Sequence, residues 1–192
     1  MIEAYLTKKQ AGLKLKIGVK SGICGGVIAL AVVLPQILHL ALGASGGVQW
    51  LPMYLPVLIG GCLLGWKLGL AVGVLSPIVS FLVTLAFGTP MPAAARLPYM
   101  IVELAVFAAV SGAFSKKISE NSVFAFPAVL LAAVSGRAVF LLTVAIFQAV
   151  SPLKLAVAWA QVQAGLLALV LQALIVPAIV ILAAHFMNKE EK

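Results

Sequence analysis

Glu103 and Arg137 are the two side chains in this sequence best placed to do chemistry. Each lies inside a long apolar run, Glu103 within residues 97–114 and Arg137 near the middle of 123–150. A charged side chain facing hydrocarbon costs a few kcal/mol or more, so both are expected to face the interior of a helix bundle. At about 1.5 Å per residue, Glu103 lies ~9 Å from the near end of its run and Arg137 ~20 Å from either end of its own. The arginine side chain is long enough to span the difference. Two roles follow, and they are compatible. The pair is a structural ion pair locking the two runs together, since any buried charge needs a partner. Alternatively, the two line a polar cavity and hold a ligand.

A second group surrounds them. Gln148, Gln161 and Gln163 fall near one side of the expected bundle, with Trp50, Met53, Tyr54, Tyr99 and Trp159. Amides are unusual in so apolar a chain. The set is either an aromatic belt at the membrane surface or a concave site with aromatic walls and a few hydrogen-bonding groups, as small-molecule pockets are built. Its members come from every connection on that side, which favours the pocket.

Catalytic constellations are missing. There is no Ser-His-Asp set, no carboxylate pair, and no glycine-rich phosphate loop followed by Lys-Ser/Thr. A chain without a nucleotide motif cannot power transport with ATP by itself. His39 and His185 have no second ligand at metal-binding spacing and read as interfacial histidines. Cys24 and Cys62 sit in apolar segments and read as small buried hydrophobes. No enzyme activity, cofactor or metal is expected.

The elements that must position these residues are membrane helices. Apolar residues make up 64% of the chain and charged residues 9%, where a soluble domain carries about 25% charge. Mean hydropathy is +1.19. Apolar runs cover about 17–42, 51–64, 68–87, 97–114, 123–150 and 155–187. They are too long and too continuously apolar for the alternating strands of a membrane barrel. The last exceeds one span, so its start is expected to be an interfacial loop or a tilted turn. Breaks fall at Gly43-Ala44-Ser45-Gly46-Gly47, Trp66-Lys67, Gly88-Thr89-Pro90-Met91-Pro92, Ser115-Lys116-Lys117 and Ser151-Pro152. The reading is one membrane domain over 1–192, with a basic segment at 1–16 that lacks a cleavable signal pattern.

Charge tests the count. With six spans and the N-terminus inside, the cytoplasmic side holds Lys8, Lys9, Lys14, Lys16, Lys20, Lys67, Lys116, Lys117, Lys189 and Lys192, ten of thirteen basic residues. The outside holds Arg96 and Lys154, and Arg137 is within a span. This is a strong positive-inside distribution, and it puts both termini in the cytoplasm. The net charge of +8 therefore reads as attraction to an anionic leaflet, with no nucleic acid partner. Small residues four apart mark close helix approach in lipid. Gly61, Gly65, Gly69 and Gly73 read as packing within the chain. Ser21, Gly25 and Ala29, near the basic segment, are as well suited to contact another protein.

At this point the order of fragments matters. The sequence carries Pro52-Met53-Tyr54-Leu55-Pro56-Val57-Leu58-Ile59-Gly60-Gly61, Leu63-Leu64-Gly65, Gly69-Leu70 and Gly73-Val74-Leu75-Ser76-Pro77. Pro90-Met91-Pro92, Glu103-Leu104 and Ser111-Gly112 follow, with Val32-Val33-Leu34-Pro35-Gln36 before them and Gly136-Arg137, Gln172 and Pro177 after. In this order and spacing the chain resembles the substrate-binding S component of energy-coupling factor (ECF) transporters, a branch of ABC importers. The resemblance spans all six runs.

The resemblance implies an all-α bundle of six transmembrane helices with both termini cytoplasmic, in a bacterial-type plasma membrane. It implies a water-soluble vitamin or similar micronutrient bound on the outer side, under lids formed by the outer loops. It also implies docking through Ser21, Gly25 and Ala29 onto a transmembrane scaffold subunit that carries two ATPase subunits. The sequence departs from similar ones in three places. Gly25 replaces one of two alanines four apart, keeping the position small. Tyr54 stands where many carry His, and Phe87-Gly88-Thr89 precedes Pro90 where a Thr-Gly-Met-Pro-Pro type of loop is more usual. The last two changes fall near the expected pocket, so the substrate is not copied from a relative. Pantothenate, a B6 vitamer, a cobalamin fragment and other cofactor precursors all stay open.

The expected binding residues are Trp50, Met53, Tyr54, Tyr99, Glu103, Arg137, Trp159, Gln161 and Gln163. The competing reading is a self-sufficient carrier driven by an ion gradient, with Glu103 as a proton site. Against it, inverted repeats with two matching broken helices are not visible.

Overall fold

A computed structural model of the chain describes residues 1–3, 6, 13–43 and 49–189. Lys8, Lys9, Lys192 and residues 44–47 of the first glycine-rich break lie outside the described residues. Among the described residues all regular structure is helical, as expected where lipid leaves backbone groups no partner outside their own segment. In chain order the helices are α1 (Leu13–Leu42), α2 (Tyr54–Leu64), α3 (Trp66–Ala86), α4 (Leu97–Ala113), α5 (Ser115–Glu120), a 3-10 turn at Ser122–Phe124, α6 (Ala125–Phe147), α7 (Leu155–Ala164) and α8 (Leu166–Lys189).

Four segments are long and apolar enough to cross a bilayer: Gly18–Leu42, Trp66–Ala86, Ser122–Phe147 and Leu166–Phe186. The α2 and α4 helices are shorter, at 11 and 17 residues. They rise roughly 16 and 25 Å, less than the ~30 Å of a hydrocarbon core. Both lie within the bundle. α4 is central and packs against α2, α3 and α6, while α2 also packs against α1 and α8. Val57, Leu58, Leu104, Phe107 and Ala108 are fully buried where α2 and α4 meet.

Glycine permits this closeness. Gly65 alone links α2 to α3, at φ +84°, a conformation that costs a residue with a Cβ. α3 then turns back along α2 and α4. A Cβ on Gly69 would lie 2.9 Å from Gly61 Cα, and one on Gly73 2.5 Å from the Leu104 carbonyl oxygen. The stripe from Gly61 to Gly73 therefore packs within the chain. The last apolar run, 155–187, is two helices that meet at Gly165. A Cβ there would press on Leu51 at 2.8 Å.

α1 stands at the edge of the bundle and packs mainly on α2 and α3, through Val27, Ala31 and Val32. Its other face presents Ser21, Gly25 and Ala29, all exposed. A Cβ on Gly18, Gly22, Gly25 or Gly26 would meet nothing within 4 Å.

Candidate functional site

The site lies where α1 ends, α2 begins and the 87–96 connection returns to α4. Its centre is Glu103 on α4, 1% exposed. The Tyr54 hydroxyl, on the first residue of α2, donates to Glu103 Oε2 at 2.5 Å. Arg137 Nη1, from α6, meets Glu103 Oε1 at 2.8 Å. Three helices thus converge on one carboxylate. The contacts are short because the acceptor is charged. The Arg137 guanidinium also lies 5.0 Å from the Tyr54 ring centroid, within cation–π range. Phe107 meets the same ring edge-on at 5.1 Å.

Glu103 Oε2 accepts from the Tyr54 hydroxyl, while Oε1 is ion-paired with Arg137 without a formal hydrogen bond, and Arg137 is not saturated. Its Nε and Nη2 are buried without a hydrogen-bond partner among the described residues, as is Nε2 of Gln161. Arg137 and Gln161 belong to the wall of a small cavity of about 70 Å³, completed by Glu103, Tyr54, Arg96 and Met100 with Leu51 and Phe140. Beside it lies a larger cavity of about 410 Å³. Leu51, Tyr54, Arg96 and Met100 belong to both walls. The rest of the larger wall is mostly apolar: Pro35, Pro52, Met53 and the stretch from Thr89 to Ala93, with His39 and Ser80 as further polar members.

Two devices hold the walls. The Thr84 hydroxyl accepts from the Met91 backbone N–H at 2.7 Å and itself donates to the Ser80 carbonyl at 2.7 Å. The Ser80 hydroxyl donates to the Met91 carbonyl at 2.9 Å. Together they pin the 87–96 connection to α3. On the opposite wall, Leu51 adopts φ +47°, a left-handed conformation costing a branched residue roughly 1–3 kcal/mol. The Gln172 amide donates to the Leu51 carbonyl at 3.0 Å and the Trp50 carbonyl at 3.2 Å, and so holds the bend that delivers Tyr54.

Of the residues singled out from sequence, Tyr54, Glu103, Arg137 and Gln161 come together at the small cavity, and Met53 joins Tyr54 in the larger wall. The others lie elsewhere. Tyr99 is buried in an apolar cluster with Phe140, Val144 and Leu153, which adjoins the small cavity through Phe140 but does not bring Tyr99 into its wall. Trp159 is 52% exposed and Trp50 41%, and Gln163 is exposed too. α7 buries Ala158 and Val162, so Trp159 and Gln163 point away from the bundle. Arg96, Met100, His39, Ser80 and Thr84 were not among the expected binding residues; His39 was read as an interfacial histidine and Arg96 as an outer-side charge. One signal was available for Ser80 and Thr84: Ser76, Ser80 and Thr84 are hydroxyl residues four apart in an apolar helix, and all are buried.

A family model described as ECF transporter, substrate-specific component, matches residues 19–180. That stretch contains every residue of the two cavities. No curated protein and no solved structure matches the chain.

Proposed function

The chain belongs to the family of ECF transporter substrate-specific components, and we propose that it captures a water-soluble vitamin or related micronutrient at the cell surface for import powered by partner ATPases. The observation that carries this reading is the paired cavity: a mostly apolar chamber adjoining a smaller one whose wall includes Arg96, Glu103, Arg137 and Gln161, with buried donors unpartnered among the described residues. Small-molecule sites are built in this way.

Charge supports an orientation. The cavity end of the bundle carries Arg96 and Lys154, while Lys20, Lys67, Lys116 and Lys117 lie toward the other. By the positive-inside rule, the cavities open outward, and six spans, with α2 and α4 as the short ones, leave both termini in the cytoplasm. The bare face of α1 around Ser21, Gly25 and Ala29 is the docking surface for a transmembrane scaffold subunit bound to two ATPases. With no side chain beneath it, that face admits a partner helix at backbone distance.

Thermal stability of the purified protein against a panel of vitamins and precursors tests the reading. A ligand at 1,000 times its dissociation constant stabilises by about 4 kcal/mol. At least one compound is expected to produce a shift of that size. A flat response across vitamins and precursors of every charge contradicts the assignment of the cavities as a high-affinity site.

A further inference from the structure

Resting on the reading of the chain as a binding subunit, we propose that its ligand is a small carboxylic acid: one carboxylate on a mostly apolar body of roughly 15 non-hydrogen atoms, scaled from the ~150 Å³ cavity that holds one benzene.

The carboxylate follows from what Glu103 leaves unused. Glu103 takes Nη1 of Arg137. The remaining donors, Nε and Nη2, are adjacent N–H groups on one edge of the guanidinium, and neither has a partner among the described residues. Such an edge presents two parallel N–H bonds, the complement of a carboxylate's two oxygens. The arginine side chain is 9% exposed, and a buried donor left without a partner is costly. The Gly165 turn lies against this edge, and a Cβ there would stand 3.2 Å from Nη2, so the glycine keeps a side chain from filling the space beside it. Gln161 Nε2 is a third unpartnered donor in the same wall.

Charge agrees with the donors. The small cavity is lined by Arg96, Arg137 and Glu103, a formal excess of one positive charge. Arg96 has no ion-pair partner among the described residues, and it lines both cavities. An incoming anion meets Arg96 first and Arg137 behind it. A cationic ligand would bring a second uncompensated positive charge into the same space. A neutral one would leave the donors unmatched to any charge.

Size and polarity set the body. The larger chamber, about 410 Å³, holds less than three times the benzene volume. The small cavity, about 70 Å³, has room for the head group and little else. Of the ligand types that the sequence leaves open, a cobalamin fragment with its corrin ring exceeds this space. The proline- and methionine-rich wall offers few hydrogen bonds, so the body is expected to be poor in polar groups.

Isothermal titration of the full chain in detergent tests the proposal. The probes are octanoate, lipoate, biotin and pantothenate, each beside its primary amide, with pyridoxine and thiamine as neutral and cationic controls. At least one acid is expected to bind tenfold or more tighter than its amide, the usual gain of a charge-assisted over a neutral hydrogen bond. Arg96→Gln, at the half-buried rim, is expected to weaken the acid more than its amide and so to narrow that difference by about threefold or more. Equal binding of acid and amide, or tighter binding of pyridoxine or thiamine, overturns the carboxylate proposal and leaves the binding-subunit reading standing. No binding by any probe of any charge contradicts both.

Discussion

Glu103→Ala is expected to lower the stability of the protein by about 3–5 kcal/mol, the range measured when one partner of a buried ion pair is removed. The variant strands the Arg137 guanidinium, 9% exposed, with no counter-charge, and it leaves the Tyr54 hydroxyl without its acceptor. Both costs arise in a site that water hardly reaches. Thermal melts in detergent measure the loss. A paired replacement divides the two roles of these residues. Replacing a buried ion pair by apolar residues of similar size is often neutral or stabilising, so Glu103→Leu with Arg137→Met is expected to recover most of the lost stability. The same double variant is expected to bind no ligand, because the guanidinium edge is gone. Recovery of stability with undiminished binding would make the pair a lock between α4 and α6 and nothing more.

Gly112→Val is expected to cost at least 3 kcal/mol, at or beyond the top of the usual range for overpacking. A Cβ on Gly112 would lie 2.6 Å from Trp66 Cα, 2.7 Å from Trp66 N and 2.8 Å from the Gly65 carbonyl carbon. All three are backbone atoms, so no side-chain rotation relieves the contact. Nor can the turn retreat readily, since Gly65 at φ +84° is the whole connection between α2 and α3. Separation of α4 from this turn would also draw Glu103 away from Tyr54. Gly22→Ala on α1 is the control. Its Cβ meets nothing within 4 Å, and alanine is the better helix former by up to ~1 kcal/mol, so the melting temperature should hold or rise.

The Glu103–Arg137 pair was legible because an ionised residue in an apolar run has few places to go. Depth along two helices then brought the two within reach of each other. The third member was harder to see. Tyr54 was expected in the wall, but its bond to Glu103 exists only because the Gly65 turn and the Gly61–Gly73 stripe press α2 onto α4. That register is a property of packing, and no local pattern carries it. Trp159, Gln161 and Gln163 show a different difficulty. They alternate in sequence and look like one face, yet a helix turns about 100° per residue. Gln161 therefore shares the inner side with Ala158 and Val162, while Trp159 and Gln163 face out. The long apolar run at 155–187 hinted at an irregular start, and the α7–α8 break at Gly165 lies there. Arg96 was legible only as a loop charge, because its place in both cavity walls depends on Thr84 and Ser80 holding Met91. The shortness of α2 was legible, since the 51–64 run is below the ~17 residues a span needs, whereas the run at 97–114 was not separable from a full span by hydropathy alone.

The central claim is that this chain binds the ligand while other subunits supply the energy. Uptake by proteoliposomes tests it most directly, with the chain reconstituted alone and together with an ECF scaffold and its two ATPases, using whichever compound stabilises the protein. The account predicts accumulation only in the complete assembly with internal ATP, and none by the chain alone under proton or sodium gradients. It further predicts that Gly25→Leu abolishes uptake without changing ligand affinity. Ion-driven accumulation by the chain alone would contradict the account and establish a self-sufficient carrier in its place.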